Sequence, residues 1–283
     1  MSITAQRKGR AADTEAVLPE EWRSARSLGL SRSEIDRALA TGQLVRVRRG
    51  RYLPAAAHPD LLTAAELGCR LDCVSLLRLL GVFVLDRHPL HVNARVGSSR
   101  LPPAPDHVVR HWRDDDDPAT SVVADLISAL AQACRCQEPR AAVATLDSAW
   151  HQLLIDGEDV AEIFRRLPRR YRRLRALLDP SAESGAETLL RLILRAIGCR
   201  FETQVDIAGV GRVDFLVEGW LIIECDSEAH HSGWDAQKRD RRRDLAAAAQ
   251  GYTTVRPLAE DVFHHRDRLM QQLRAVVTNR PAR

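Results

Sequence analysis

The chain has 283 residues, 45% of them hydrophobic, and 42 Lys+Arg stand against 38 Asp+Glu. That length exceeds one ordinary domain and supplies material for two or three packed cores. With a net charge of +4 and a sequence pI near 8.9, any basic surface has to come from local clustering rather than overall composition. No apolar run approaches a membrane span, and Met1–Arg10 carries no signal-peptide core, so a cytoplasmic protein without a membrane partner is expected. The six cysteines form no C-x-x-C pair, and no Cys/His set has zinc-finger spacing. Buried free thiols are therefore expected rather than a structural metal site.

In chain order, residues 1–17 are polar and aperiodic and read as a flexible tail. Pro19–Leu28 reads as a helix with Trp22, Ala25 and Leu28 on one stripe, stopped by Gly29. Ser31-Arg32-Ser33-Glu34 is a capping box that opens a second helix, which ends at Gly42. Leu44–Val47 and Arg51–Leu53 are short strands about a basic turn, and Arg46, Arg48, Arg49 and Arg51 put four positive charges in six residues. Helix, turn, helix and basic hairpin make a winged-helix pattern over residues 18–57.

Residues 58–179 read as a mainly helical middle region. Helices are expected over Leu61–Leu71, Val74–Leu80, Ser121–Ala133, Pro139–Leu154 and Gly157–Leu167, with short strands at Leu90–Ala94 and His107–His111. An arginine-rich run from Arg165 to Arg175 precedes Asp179-Pro180, where the last domain, 180–283, is expected to begin. There Ser184-Gly185-Ala186-Glu187 opens a helix stopped by Gly198, and a strand, Arg200–Ile207, follows.

Val213–Asp226 carries an anomaly of charge. It reads as a β-hairpin of two apolar strands about Glu218-Gly219-Trp220, with Asp214 inside the first strand and Glu224 and Asp226 inside the second. Carboxylates in core-like strands need compensation, and a divalent cation is the usual one. A three-residue loop places Asp214 opposite Glu224 on one face; a two-residue loop would separate them. The odd-length loop is expected. His230 and His231 follow, then a helix over Asp235–Gln250, a strand over Tyr252–Leu258, and an amphipathic helix over Ala259–Val277.

Two acidic residues on adjacent strands, ten positions apart, resemble the core of the PD-(D/E)XK nuclease superfamily. The continuation E-C-D-S-E-A-H-H, then R-D-R-R-R-D-L-A-A-A-A-Q-G-Y-T-T-V-R, resembles the DUF559 family, relatives of the very-short-patch-repair (Vsr) endonucleases. It departs from them where Asp226 stands in place of a lysine after Glu224, and where Ser227 stands for glycine. The resemblance implies an α/β, restriction-endonuclease-like sandwich with a short mixed sheet. It implies Asp214 and Glu224, with the Cys225 carbonyl, holding Mg²⁺ or Mn²⁺, and Asp226, His230 and His231 completing the catalytic set. Glu187 has two readings, a capping residue or a further carboxylate beside the metal.

The segments G-L-S-R-S-E-I-D-R-A-L-A-T-G-Q-L and R-R-G-R-Y-L resemble the N-terminal domain of AbiEi-type antitoxins of type IV toxin–antitoxin systems. That resemblance implies double-stranded DNA binding and a cognate toxin or defence-system partner. The arginines expected on DNA are Arg32, Arg46, Arg48, Arg49 and Arg51, with Arg243 beside the nuclease-like site. Two functions remain open: a Mg²⁺-dependent DNA endonuclease, or a transcriptional regulator whose nuclease fold is catalytically inactive.

Overall fold

The computed structural model describes residues 21–86, 89–114, 117–225 and 234–279. Its contacts divide the chain into two compact units: residues 1–136 with 156–169, and residues 137–155 with 170–283. Expected boundaries at 57 and 179 cut across this grouping. Residues up to 57 share a unit with 58–136, while 137–155 and 170–179 join the C-terminal sheet. Among the described residues no helix is long and apolar enough to cross a membrane.

In the first unit, α1 (Ala25–Leu28) and α2 (Arg32–Ala40) precede a hairpin of β1 (Leu44–Arg48) and β2 (Arg51–Pro54). Ser31 caps α2 and Glu34 returns the bond to the Ser31 N–H at 2.7 Å, completing the expected box. The first helix is shorter than expected. Arg23 instead pairs with Tyr52 as an extended strand, both N–H groups bonding across at 2.9 Å, so a tertiary pairing overrides the helical stripe.

Next come α3 (Pro59–Glu66), β3 (Arg70–Leu71), α4 (Cys73–Leu79), β4 (Leu90–Ala94) and β5 (Val108–Trp112). The strands form a sheet in the order β3-β4-β5, with β3 antiparallel and β5 parallel to β4. The helix expected over Leu61–Leu71 therefore ends early. Gly68 turns at φ 67°, and Arg70–Leu71 leaves as a strand opposite Asn93 and Val92. Residues 121–124 also run extended, with Leu71 N–H bonding Val122 at 2.8 Å and Ala124 N–H bonding Leu71 at 2.9 Å. Hence α5 (Leu126–Cys136) starts later than the apolar pattern indicated. The unit closes with α7 (Gly157–Arg166), which follows α6 (Pro139–His151) of the second unit.

The second unit contains α6, α8 (Arg172–Arg175), α9 (Gly185–Ile197) and a sheet of β6 (Phe201–Ile207), β7 (Gly211–Val217), β8 (Leu221–Ile223) and β9 (Thr253–Val255). Strand order is β6-β7-β8-β9; the first three are antiparallel neighbours and β9 runs parallel to β8. A parallel pair needs a crossover, and α10 (Trp234–Ala249) lies within it. Ala247 of α10 packs with Ile207, Val210, Val213 and Ile222 of the sheet. The expected final helix is two, α11 (Ala259–His264) and α12 (Arg266–Thr278), broken where His265 leaves helical geometry at ψ 36°.

A buried ion pair joins α6 to α9. Asp147 and Arg191 are both almost wholly inaccessible, with Arg191 Nη2 donating to Asp147 Oδ2 at 2.6 Å. Thr188 Oγ1 and the Asp179 N–H also donate to Asp147, and Arg191 Nη1 donates to the Leu177 carbonyl. Removing one member leaves its partner's charge buried and uncompensated, which costs about 3–5 kcal/mol. Asp147→Ala is expected to destabilise the chain by about that amount in urea denaturation, and a loss below about 1 kcal/mol would contradict this account. A fragment starting at Pro180 lacks Asp147, and its unfolding is expected to be less cooperative than that of the full chain.

Candidate active site

The β7–β8 turn sets the site. Val217 pairs with Leu221, so Glu218-Gly219-Trp220 is a three-residue loop, with Glu218 and Gly219 both left-handed at φ 50° and 68°. Phe215 pairs with Ile223, and one further step sets Asp214 opposite Glu224. The register is the expected one, although β8 ends at Ile223 and Glu224 lies just beyond it. The Cys225 N–H donates to Asp214 Oδ2 at 2.8 Å, locking the two chain segments at this level.

Glu187 approaches from α9. Ser184 caps this helix, its Oγ accepting from the Glu187 N–H at 3.2 Å and donating to Glu187 Oε1 at 2.9 Å. The return bond reaches past the cap: Glu187 Oε2 accepts from the Glu183 N–H at 2.9 Å and from Gln204 Nε2 at 2.8 Å. Glu187 is only 7% exposed. It therefore holds the helix start and lies where the charge of Asp214 reaches it.

Gln204 is a site residue that sequence reading placed on a strand without giving it a task. It stands opposite Asp214 between the Thr203–Phe215 and Val205–Val213 pairs, yet leaves the ladder with φ 55°. Left-handed backbone at a non-glycine residue costs about 1–3 kcal/mol and persists where surroundings impose it. Here it accompanies the bond from Gln204 to Glu187.

The carboxylates feel one another. Burial raises Asp214 above the ordinary carboxylate range; the charges of Glu224 and Glu183 push the same way, while the Cys225 N–H and Arg243 oppose. Burial likewise raises Glu187, opposed by the Glu183 N–H and reinforced by the charge of Asp214.

Glu224 is differently placed, between two guanidinium groups. Arg243 of α10 donates to its Oε1 at 2.8 Å, and Arg256 donates to its Oε2 from Nε at 3.0 Å and Nη2 at 2.8 Å. Arg256 also forks onto Asp244, at 2.9 and 2.5 Å, which holds Asp244 below its usual range. Arg243 further donates to the Val210 carbonyl at 3.1 Å and the Arg212 carbonyl at 2.6 Å. Arg243, expected on DNA, is thus engaged inside the unit. Arg256 was not anticipated. The signal lay in topology: Glu224 N–H bonds the Val255 carbonyl at 3.2 Å, so the residue after β9 necessarily lies beside the residue after β8.

Asp226, His230 and His231 lie outside the described residues. In the other unit, Arg32, Arg46 and Arg49 are exposed. Arg48 turns inward to the Arg100 carbonyl at 3.3 Å, and Gly68 leaves no room for a Cβ against its guanidinium. Arg51 stacks on Trp22, 4.6 Å from the ring centroid. Arg46 and Arg49 remain as the outward charges of the hairpin.

Asp214 and Asn at this position have the same shape, and an Asn oxygen still accepts from Cys225. Because the folded pKa of Asp214 is raised, its contribution to stability is present below the unfolded carboxylate value and is lost as pH rises through the folded one. Asp214→Asn is therefore expected to melt higher than the native chain in EDTA at pH 7–8, by about 2–4 °C, a gain near 1 kcal/mol. The difference should shrink as pH falls through the folded pKa of Asp214 and its carboxyl takes up a proton. An equal or lower midpoint for the variant at pH 7–8 would remove the charge conflict from this site.

Residues 187–277 match the model of the restriction-endonuclease-like family REase_MTES_1575. The matched segment begins at Glu187 and contains Gln204, Asp214, Glu224, Arg243 and Arg256. No curated protein matches the chain. This match supports a restriction-endonuclease-like domain in the C-terminal part of the chain and a nuclease-like role.

Proposed function

We propose that this protein is a double-stranded-DNA-binding endonuclease that hydrolyses phosphodiesters with Mg²⁺ or Mn²⁺. The observation that carries this reading is the gathering of Glu187, Asp214 and Glu224 within the family-matched segment. Glu187 and Asp214, both desolvated and each raised by neighbouring negative charge, fit a hard divalent cation, because their donors are all oxygen. Glu187, Asp214 and the Cys225 carbonyl would hold the ion, which when bound polarises the phosphate and lowers the pKa of a bound water. Gln204 and Ser184 fix the Glu187 carboxylate, and the Cys225 N–H fixes Asp214. Arg243 and Arg256 hold Glu224 at the edge of the site. His230 or His231 would orient or deprotonate the water, or protonate the leaving oxygen, with Asp226 positioning the histidine.

In the N-terminal unit, the exposed Arg32, Arg46 and Arg49 are assigned to the phosphate backbone, following the winged-helix and AbiEi-like reading. Arg48 and Arg51 shape the hairpin from beneath. A second reading has its own support. Both oxygens of Glu224 accept from arginine, which compensates its charge without a metal and suits a regulator or antitoxin whose nuclease fold serves as a platform for DNA, a toxin or a defence partner.

Incubation of the full chain with duplex DNA is expected to give cleavage in Mg²⁺ and none in EDTA. Asp214→Asn and Glu187→Gln should each lower the rate at least about 100-fold, the scale of losing one electrostatic contributor at a reacting centre. A Mg²⁺-raised melting midpoint without cleavage would select the platform. Neither effect would end the metal reading. Separately, the Arg46→Ala/Arg49→Ala double variant should weaken DNA binding across sequences and reduce the salt slope by about 1.8, since each lost phosphate contact removes about 0.9. An unchanged slope would take the hairpin off the DNA.

A further inference from the structure

Four side chains in the first unit converge although no sequence spacing joins them. Cys73 opens α4, His91 lies on β4, His111 lies on β5, and Cys136 closes α5. In the parallel β4–β5 register His91 pairs with Val109 and Asn93 with His111, so both histidines project from one face, two residues apart. The start of α4 and the end of α5, which pack on each other, bring the two cysteines to that face. One ligand atom from each residue lies within 4.8 Å of the other three.

The separations have the scale of a coordination polyhedron. His91 Nδ1 stands 3.0 Å from His111 Nε2, and Cys136 Sγ stands 3.7 Å from that same nitrogen. A tetrahedral ion with bonds of about 2.0–2.1 Å to nitrogen and about 2.3 Å to sulfur sets its ligand atoms about 3.3–3.8 Å apart. Both distances fall within a few tenths of an ångström of those edges.

Packing alone does not require this grouping. Cys69 and Cys134 show the ordinary case, buried thiols outside the cluster. Cys73 instead holds a left-handed backbone at φ 53°, a strained conformation for a side chain. Its neighbours impose it. Arg113 grips the buried Asp72 with two bonds, 3.0 and 3.1 Å, and the Asp72 N–H donates to the His91 carbonyl at 3.1 Å. The His91 N–H in turn donates to Ser75 Oγ at 2.8 Å. These bonds fix the backbones that carry Cys73 and His91. Gln132 Nε2 donates to Cys136 Sγ at 3.3 Å, where an outer partner orients that ligand.

We propose that Cys73, His91, His111 and Cys136 bind one Zn²⁺ ion as a structural site that staples the three-stranded sheet to α4 and α5. Two sulfurs and two imidazole nitrogens favour a borderline-soft transition ion over Mg²⁺ or Ca²⁺, which separates this centre from the all-oxygen carboxylate site. Four protein ligands fill a tetrahedron and leave no position for substrate, so the role is structural. Binding displaces the thiol protons, and the ion stabilises the unit because the assembled ligand set exists only in the folded chain.

The test uses the full chain without a histidine tag, purified under reducing conditions, with zinc measured by mass spectrometry and cobalt(II) titrated into stripped protein. One zinc per chain is expected, and cobalt should give the intense visible ligand-field bands of a tetrahedral site with thiolate charge transfer. Cys136→Ser and His111→Ala should lose that spectrum; Cys134→Ser and Asp214→Asn should keep it. Gln132→Ala should retain the spectrum and bind zinc about 10–100-fold more weakly. A native chain that carries no zinc and develops no tetrahedral cobalt spectrum overturns the proposal without any variant having to fold. So does a spectrum that survives Cys136→Ser, or a Cys73–Cys136 disulfide in freshly purified metal-free protein.

Discussion

The C-terminal unit depends on how it compensates Glu224. This carboxylate follows the three-residue, fully buried strand β8, and Arg243 and Arg256, 19 and 32 residues further along the chain, both donate to it. One arginine comes from the crossover helix and the other directly follows the strand that the crossover delivers. The contact therefore closes the β8–α10–β9 unit electrostatically where the parallel ladder ends. Charge-assisted bonds of this kind are about twice as strong as neutral ones, and the planar fork of Arg256 spans Glu224 and Asp244 together. The unit can thus carry an acidic residue at the end of its buried strand β8.

The same arrangement divides the acidic cluster. Glu224 is answered by arginine, whereas Glu187 and Asp214 are held mainly by neutral donors: N–H groups, a hydroxyl and an amide. Neutral donors orient a carboxylate but leave most of its charge uncompensated, and burial is the leading cause that raises both residues. The arginines organise one half of the site; the other half retains unneutralised charge. Gln204 stands at the junction, with its backbone strained and its amide spent on Glu187.

What was legible in the sequence was local. Ser184 with Glu187, Ser31 with Glu34 and the Glu218-Gly219-Trp220 loop are encoded within a few residues, and the loop length alone fixed Asp214 against Glu224. Non-local pairing was not legible. Leu71 lies in an apolar run that suits a helix, but its backbone bonds are taken by Val122 and Ala124, so β3 formed against the periodic pattern. Arg256 looked like the tail of a strand because its partners lie 12 and 32 residues away. The basic hairpin was legible as charge, but not which arginines turn inward. That depended on Trp22 and Gly68, which the fold brings beneath it.

The Cys/His cluster illustrates the same limit in its strongest form. Metal-site motifs are readable when ligands sit two to five residues apart on a turn or helix, because one local structure then aims both. Here each of the four ligands comes from a different element, with intervals of 18, 20 and 25 positions. Each residue alone has an ordinary explanation: a helix-start thiol, two strand histidines and a helix-end thiol. Only the parallel pairing of β4 with β5 removes those explanations, because it sets two imidazoles side by side beneath the meeting ends of two helices. The chemistry of this unit is thus encoded in its topology, while that of the acidic site is encoded largely in one hairpin.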